Sequence, residues 1–148
     1  MIRILLPTDF SGTSEKAAHF AVDLYGTEGV RYTLVNSFQL QAGPEVLMPD
    51  LTMLAEQGSR LGLRNAERRL RKHAPGVSLA KVSTYVPLPE ALNDLAECKG
   101  GDLIVMGTQG KSSTPLIGRY ASSVVQRAEL PLITVPWHWE PRPVQRIL

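Results

Sequence analysis

The sequence predicts an α/β domain: a five-stranded parallel sheet with helices on both faces. Three observations predict it. Short apolar runs alternate along the chain with longer segments whose apolar residues recur at helical spacing, and strands alternating with helices imply parallel strands joined by crossovers. The runs are apolar at consecutive positions, as in Ile4-Leu5-Leu6 and Leu103-Ile104-Val105-Met106, the pattern of strands covered on both faces. Glycine or proline stands at most of the junctions, where the chain leaves one element for the next.

Arg3–Pro7 reads as the first strand. Thr8–Thr13 reads as loop and Ser14 as the cap of a helix ending at Tyr25, with Ala17, Ala18, Ala21 and Val22 at helical spacing and Gly26 as the stop. Arg31–Ser37 is the second strand. A loop with Gly43, Pro44 and Pro49 leads to a long helix, Leu51–His73, whose inner face is expected to carry Leu54, Gly58, Leu61, Ala66 and Leu70. Its other face is basic, with Arg64, Arg68, Arg69, Arg71 and Lys72 interrupted by Glu56 and Glu67, and reads as a solvated surface or dimer rim. Pro75-Gly76 ends that helix and Leu79–Tyr85 is the third strand. Pro89 opens a helix over Glu90–Lys99, which Gly100-Gly101 ends. Leu103–Met106 is the fourth strand, Arg119–Ala128 a helix and Leu132–Val135 the fifth strand. Residues 137–148 form an irregular tail whose Trp137 and Trp139 are expected to pack on the domain.

At 148 residues the chain is long enough to bury one core and short enough to be one domain. No apolar run approaches the roughly 20 residues that cross a bilayer, and Met1–Pro7 enters a strand without the pattern of a signal peptide. These features predict a cytoplasmic protein with no membrane partner. A single cysteine, Cys98, precludes an internal disulfide and is expected to be a partly buried, passive thiol. A net charge of +2 does not argue for nucleic acid. His19, His73 and His138 stand in no metal-ligand spacing, so no metal site is assigned to them.

The chemistry concentrates after the first and fourth strands. Gly107-Thr108-Gln109-Gly110-Lys111 follows the fourth apolar run; glycines there allow backbone amides to approach a ligand closely, and amides converging near a helix N-terminus bind anions. Lys111 adds a cation. Thr8-Asp9-Phe10-Ser11-Gly12-Thr13 follows the first run. Asp9 either accepts hydrogen bonds from a ligand or forms an Asx turn or cap, and both roles fit one site. In open parallel sheets ligands bind outside the carboxyl ends of strands where strand order reverses.

With those residues placed, the chain resembles the universal stress protein family. Ile4-Leu5-Leu6-Pro7-Thr8-Asp9-Phe10-Ser11 is similar to that family's first strand and loop, Gly101-Asp102-Leu103-Ile104-Val105-Met106-Gly107-Thr108-Gln109-Gly110 to its fourth strand and glycine loop, and Leu130-Pro131-Leu132-Ile133-Thr134-Val135-Pro136 to its closing strand. The resemblance implies one domain over residues 1–136, strand order 3-2-1-4-5, and an adenine-nucleotide-binding fold of the Rossmann-like alpha-hydrolase type. It also implies a homodimer, with Leu132–Val135 as the candidate edge. Carried over, adenine would lie at Pro7, Thr8, Asp9 and the backbone of Ser37, and ribose and phosphates at Met106, Gly107 and Gly110.

The chain departs from the family's phosphate pattern, Gly-x2-Gly-x9-Gly followed by Ser or Thr. Gly118-Arg119 stands at the final position with only seven residues after Gly110. Arg119 replaces a hydroxyl and either clamps a phosphate in bidentate fashion or fills its space. The ligand implied is ATP or AMP, with or without Mg²⁺. The leading reading is a stress-response or regulatory nucleotide-binding module without dedicated catalysis. The alternative is a dimeric scaffold that binds no ATP and signals to an unidentified protein partner. A third is a slow ATPase or an enzyme akin to the PP-loop class, whose Ser-Gly-Gly-x-Asp-Ser turn the loop at 9–14 only partly resembles.

Overall fold

The computed structural model describes residues 1–39, 49–108 and 119–142. Nine elements alternate in these residues: β1 (Ile2–Pro7), α1 (Gly12–Tyr25), β2 (Val30–Ser37), α2 (Pro49–His73), β3 (Ser78–Thr84), α3 (Leu88–Lys99), β4 (Leu103–Gly107), α4 (Arg119–Arg127) and β5 (Leu132–Val135). The strands form one sheet in the order β3-β2-β1-β4-β5, and every pairing is parallel. This is the architecture and order expected. The order reverses between β1, the central strand, and β4.

Both faces of the sheet are covered. Ile4, Leu6, Tyr32, Leu34 and Val105 pack beneath α1 and α2 with Ala17, Ala18, Ala21, Leu63 and Leu70. Leu5, Val35, Ile104 and Met106 pack on the other face with Leu92, Leu95, Ala121 and Val124 of α3 and α4. Neighbouring residues of β1 thus enter opposite cores, which explains their unbroken hydrophobicity. The Tyr32 hydroxyl donates to the Gly26 carbonyl at 2.6 Å, and burial pushes its pKa up to about 12.

The structure moves several boundaries. Helix α1 begins at Gly12, capped by Ser11 rather than Ser14: the Ser11 Oγ accepts from the Ser14 amide at 3.3 Å. Ser14 instead donates its hydroxyl to the Ser11 carbonyl at 2.9 Å. Strand β3 stops at Thr84, because Thr84 Oγ1 accepts from the Val86 amide at 3.1 Å and turns the chain before Tyr85. Pro89 lies in the first turn of α3, which starts at Leu88 after the cap residue Pro87. Gly26 and Gly100 end α1 and α3 at positive φ, as their positions predict.

Helix α2 is rotated from the expected orientation. Its inner face carries Ser59, Leu63 and Leu70, all buried, with Ala66 partly so, whereas Leu54 and Leu61 are 61% and 55% exposed. The cause is a contact remote in sequence. The ring of Phe10 lies against Gly62, where a Cβ would overlap it, so the Gly62 side of the helix must face the β1–α1 loop. Ser59 Oγ and Ser83 Oγ, 2.7 Å apart, fix the same rotation from β3. Phe10 has φ of +63°, a left-handed conformation that costs a bulky residue about 1–2 kcal/mol.

At the far end of the α1–α2 contact, the rings of His19 and His73 stack with centroids 4.0 Å apart and planes 7° apart. His73 Nε2 lies 2.7 Å from Asp23 Oδ1. His19 Nε2 is buried without a hydrogen-bond partner among the described residues, 4.0 Å from Glu15 Oε1, and Glu15 pairs with Arg69 at 3.1 Å. Basic residues of α2 are partly neutralised: Arg60 pairs with Glu56, and Arg71 and Lys81 converge on Glu67. The two tail tryptophans part company. Trp139 packs edge-on to Phe20 at 5.2 Å, while Trp137 is 57% exposed. Cys98, in the last turn of α3, is exposed rather than partly buried.

Two predictions follow from this packing. Alanine in place of an interior helical glycine ordinarily stabilises, yet Gly62→Ala should lower stability by about 1–2 kcal/mol in urea unfolding, because its methyl displaces the Phe10 ring. Burial, then the neighbouring His73, hold His19 below its usual 6.5 despite Glu15 and Asp23. The unfolded chain therefore binds that proton first, and stability falls as pH drops below 6.5, becoming level below the native pKa. In thermal unfolding this decline should be smaller in His19→Gln, and above neutral pH the imidazole titration should contribute nothing.

Candidate functional site

The site predicted from the sequence lies where β1 and β4 end. Beyond their paired segments, the Thr8 amide donates to the Val35 carbonyl at 2.9 Å and the Thr108 amide to the Val135 carbonyl at 3.0 Å. Both chains therefore stay in the sheet one residue past their strands. Gly107 then passes flush against the first turn of α1. A Cβ on Gly107 would stand 2.6 Å from Thr13 Cγ2 and 3.0 Å from the Thr13 carbonyl oxygen. Glycine at 107 is thus required for close approach of backbone to helix, and it brings the β4 exit beside the α1 N-terminus.

The β1–α1 loop is held by its own side chains. Asp9 Oδ1 accepts from the Ser11 amide at 3.0 Å and from the Ser11 hydroxyl at 2.5 Å, an Asx turn that orients the capping residue. Thr8 Oγ1 accepts from the Phe10 amide at 3.0 Å and lies 3.1 Å from Ser14 Oγ. From the neighbouring strand, buried Asn36 donates its Nδ2 to the Thr8 carbonyl at 2.7 Å. The first turn of α1 presents its positive dipole end here, beside the carboxylate of Asp9. Such a pairing suits a ligand that offers hydroxyl or amino donors and an anionic group.

The other expected residues fall as follows. Pro7 and Met106 are buried, so each borders the site through backbone rather than side chain. Ser37 ends β2, and its hydroxyl donates to the Val86 carbonyl at 2.7 Å. Pro7, Thr8, Asp9, Met106 and Gly107 are brought together by the β1–β4 junction, with Ser37 one strand away. Gly110, Lys111 and Gly118 lie outside the described residues, and Arg119 is described by its backbone alone as the first residue of α4. Thr13, Ser11 and Asn36 were not singled out from the sequence. Asn36 carried a signal, being an amide directly after the apolar pair Leu34-Val35 at the end of a strand.

A small cavity of about 20 Å³ lies under Phe10 on the α1–α2 side, lined by Thr8, Ser14, His19, Leu34, Arg69 and Leu70 among others. It has room for about one water molecule and is not a nucleotide pocket. Among the described residues no helix is long and apolar enough to cross a membrane.

Comparison with known proteins bears on this geometry. The chain is 45% identical to universal stress protein G of Shigella flexneri over 47 residues, 31% of this chain, and that match spans only 33% of the relative. It is 29% identical over 145 residues to universal stress protein MJ0531 of Methanocaldococcus jannaschii, covering 90% of this chain and 81% of the relative. The universal stress protein of Archaeoglobus fulgidus, solved in complex with dAMP, superposes with a TM-score of 0.64 at 21% identity, covering 90% of this chain and 97% of the other. The model of the universal stress protein family matches residues 1–136, and the chain belongs to that family.

Proposed function

We propose that this universal stress protein binds an adenine nucleotide at the carboxyl ends of β1 and β4 and acts as a regulatory module without dedicated catalysis. The observation that carries the reading is the seating of Gly107 on Thr13, which puts the β4 exit, Asp9 and the N-terminus of α1 around one position. Membership of the family supports it, as does the dAMP complex of the Archaeoglobus fulgidus relative.

In this reading the base lies toward Pro7, Thr8, Asp9 and the Ser37 backbone, and the ribose and first phosphate lie toward Met106, Gly107 and Gly110. Lys111, Gly118 and Arg119 meet further phosphates, and Mg²⁺ accompanies ATP where the shortened loop admits it. Two copies associate through β5, and the protein works in the cytoplasm. Arg119 stands in the sequence where the family's pattern has a hydroxyl, and it either clamps an outer phosphate in bidentate fashion or fills its space, so AMP and ATP are the two ligands to compare.

Thermal unfolding with AMP or Mg-ATP tests the proposal. Ligand at about 100 times Kd stabilises by about 2.7 kcal/mol, a rise of about 5–10 °C for a chain of this size. Asp9→Ala and Gly110→Val should each weaken binding severalfold. No shift with either nucleotide at millimolar concentration would refute the assignment and favour the scaffold reading.

A further inference from the structure

Helix α2 rises past the sheet on the side where this site opens. Ser59 is level with Ser83, the penultimate residue of β3. Residues 49–58 therefore stand beyond the strand's carboxyl end, about 15 Å of helix at 1.5 Å per residue. The direction this segment faces is fixed by Gly62, which meets the ring of Phe10, the residue after Asp9. Positions 54, 58 and 62 follow one row of the helix, four residues apart and about 40° further round at each step, while Leu51, eleven residues before Gly62, points within about 20° of it. Gly58 is one turn, about 6 Å, beyond the Phe10 contact on that row, and Leu54 is a turn further.

That row is apolar and open. Leu51 is 41% and Leu54 61% exposed, and among the described residues a Cβ on Gly58 would meet nothing within 4 Å. The two glycines thus differ. The fold itself explains Gly62, whose bare backbone receives an aromatic ring. Nothing within the described chain explains Gly58, although glycine inside a helix is unfavourable. Repetition of a bare backbone position one turn closer to the candidate site, flanked by leucine, makes a second slot shaped for a flat apolar group.

We infer that this face of α2, centred on Gly58 with Leu51 and Leu54, is the wall against which the base of the bound nucleotide lies. The inference rests on the proposed nucleotide reading and assigns α2 a role in selecting the ligand. A planar purine fits the slot as the Phe10 ring fits Gly62, and its edge is then directed toward the β1–α1 loop, where Asp9 stands. The wall contacts base alone: Leu51, Leu54 and Gly58 offer no group that binds ribose or phosphate.

The test uses the full chain and two probes, AMP and ribose 5-phosphate, titrated by ligand-observed NMR. Gly58→Val should weaken AMP binding about tenfold by filling the slot, and Leu54→Ala severalfold; neither should change binding of ribose 5-phosphate, which lacks the base. Position 58 is exposed and valine is a better helix former than glycine, so the ligand-free melting temperature should not fall. Unchanged AMP affinity in Gly58→Val, with the wild type binding AMP, would overturn the wall and leave the nucleotide reading intact. Equal loss of both probes would overturn it too, as would a lower ligand-free melting temperature, which would mean that the chain's own residues already fill the slot. A Leu54→Ala variant that loses mass in sedimentation would assign the face to a second copy and overturn the inference. Failure of the wild type to bind AMP would refute both readings together.

Discussion

The contact of the Phe10 ring with the bare backbone of Gly62 governs the arrangement of the α1–α2 face. It holds a bulky residue at positive φ, a conformation that persists only where surrounding contacts over-determine it. Here those contacts are the Gly62 surface, the Thr8 hydroxyl that accepts the Phe10 amide, and the Asp9 carboxylate that turns the chain into the Ser11 cap. Release of the ring would free the loop carrying Asp9 and the rotation of α2 together. The same contact decides that Ser59, Leu63 and Leu70 face the core and that Leu54 does not.

Across the β1–β4 junction a second glycine contact has the corresponding role. Gly107 admits the first turn of α1 against the end of β4, so that the ends of β1 and β4, about a hundred residues apart, share one anion-favouring helix terminus. The polar groups of the β1–α1 loop mostly satisfy one another and Asn36. The loop is thus organised before any ligand arrives, and ordering it adds little to the cost of binding. The His19–His73 stack lies on the same helix pair at its other end, coupling protonation to the stability of α1 against α2.

Much of this was legible from the chain. Ile4-Leu5-Leu6 and Leu103-Ile104-Val105-Met106 announce strands buried on both sides, Gly26 and Gly100 end helices where they stand, and the polar, glycine-containing loops mark the switch point. The turn at that junction was legible because it is local: Asp9 and Ser11 form it within three residues. The face of α2 was not, since Leu54, Leu61, Ala66 and Leu70 supply apolar groups on more than one side of a long helix, and periodicity alone cannot say which side wins. Local pattern does not separate Ser11 from Ser14 as the cap, because both are hydroxyl residues before the same apolar run, and only the chain's path into α1 distinguishes them.

The sequence by itself determined the order of elements, the double burial of the sheet, the strand ends at which the polar, glycine-containing loops stand, and the family, because these depend on hydrophobic periodicity, backbone punctuation and residues adjacent in the chain. Tertiary structure alone decided the rotation of α2, the seating of Gly107 on Thr13, the stacking of His19 on His73 and the division of Trp137 from Trp139. Each of these is a contact between residues far apart in sequence, and its outcome turns on shape and close approach, quantities that no local pattern encodes.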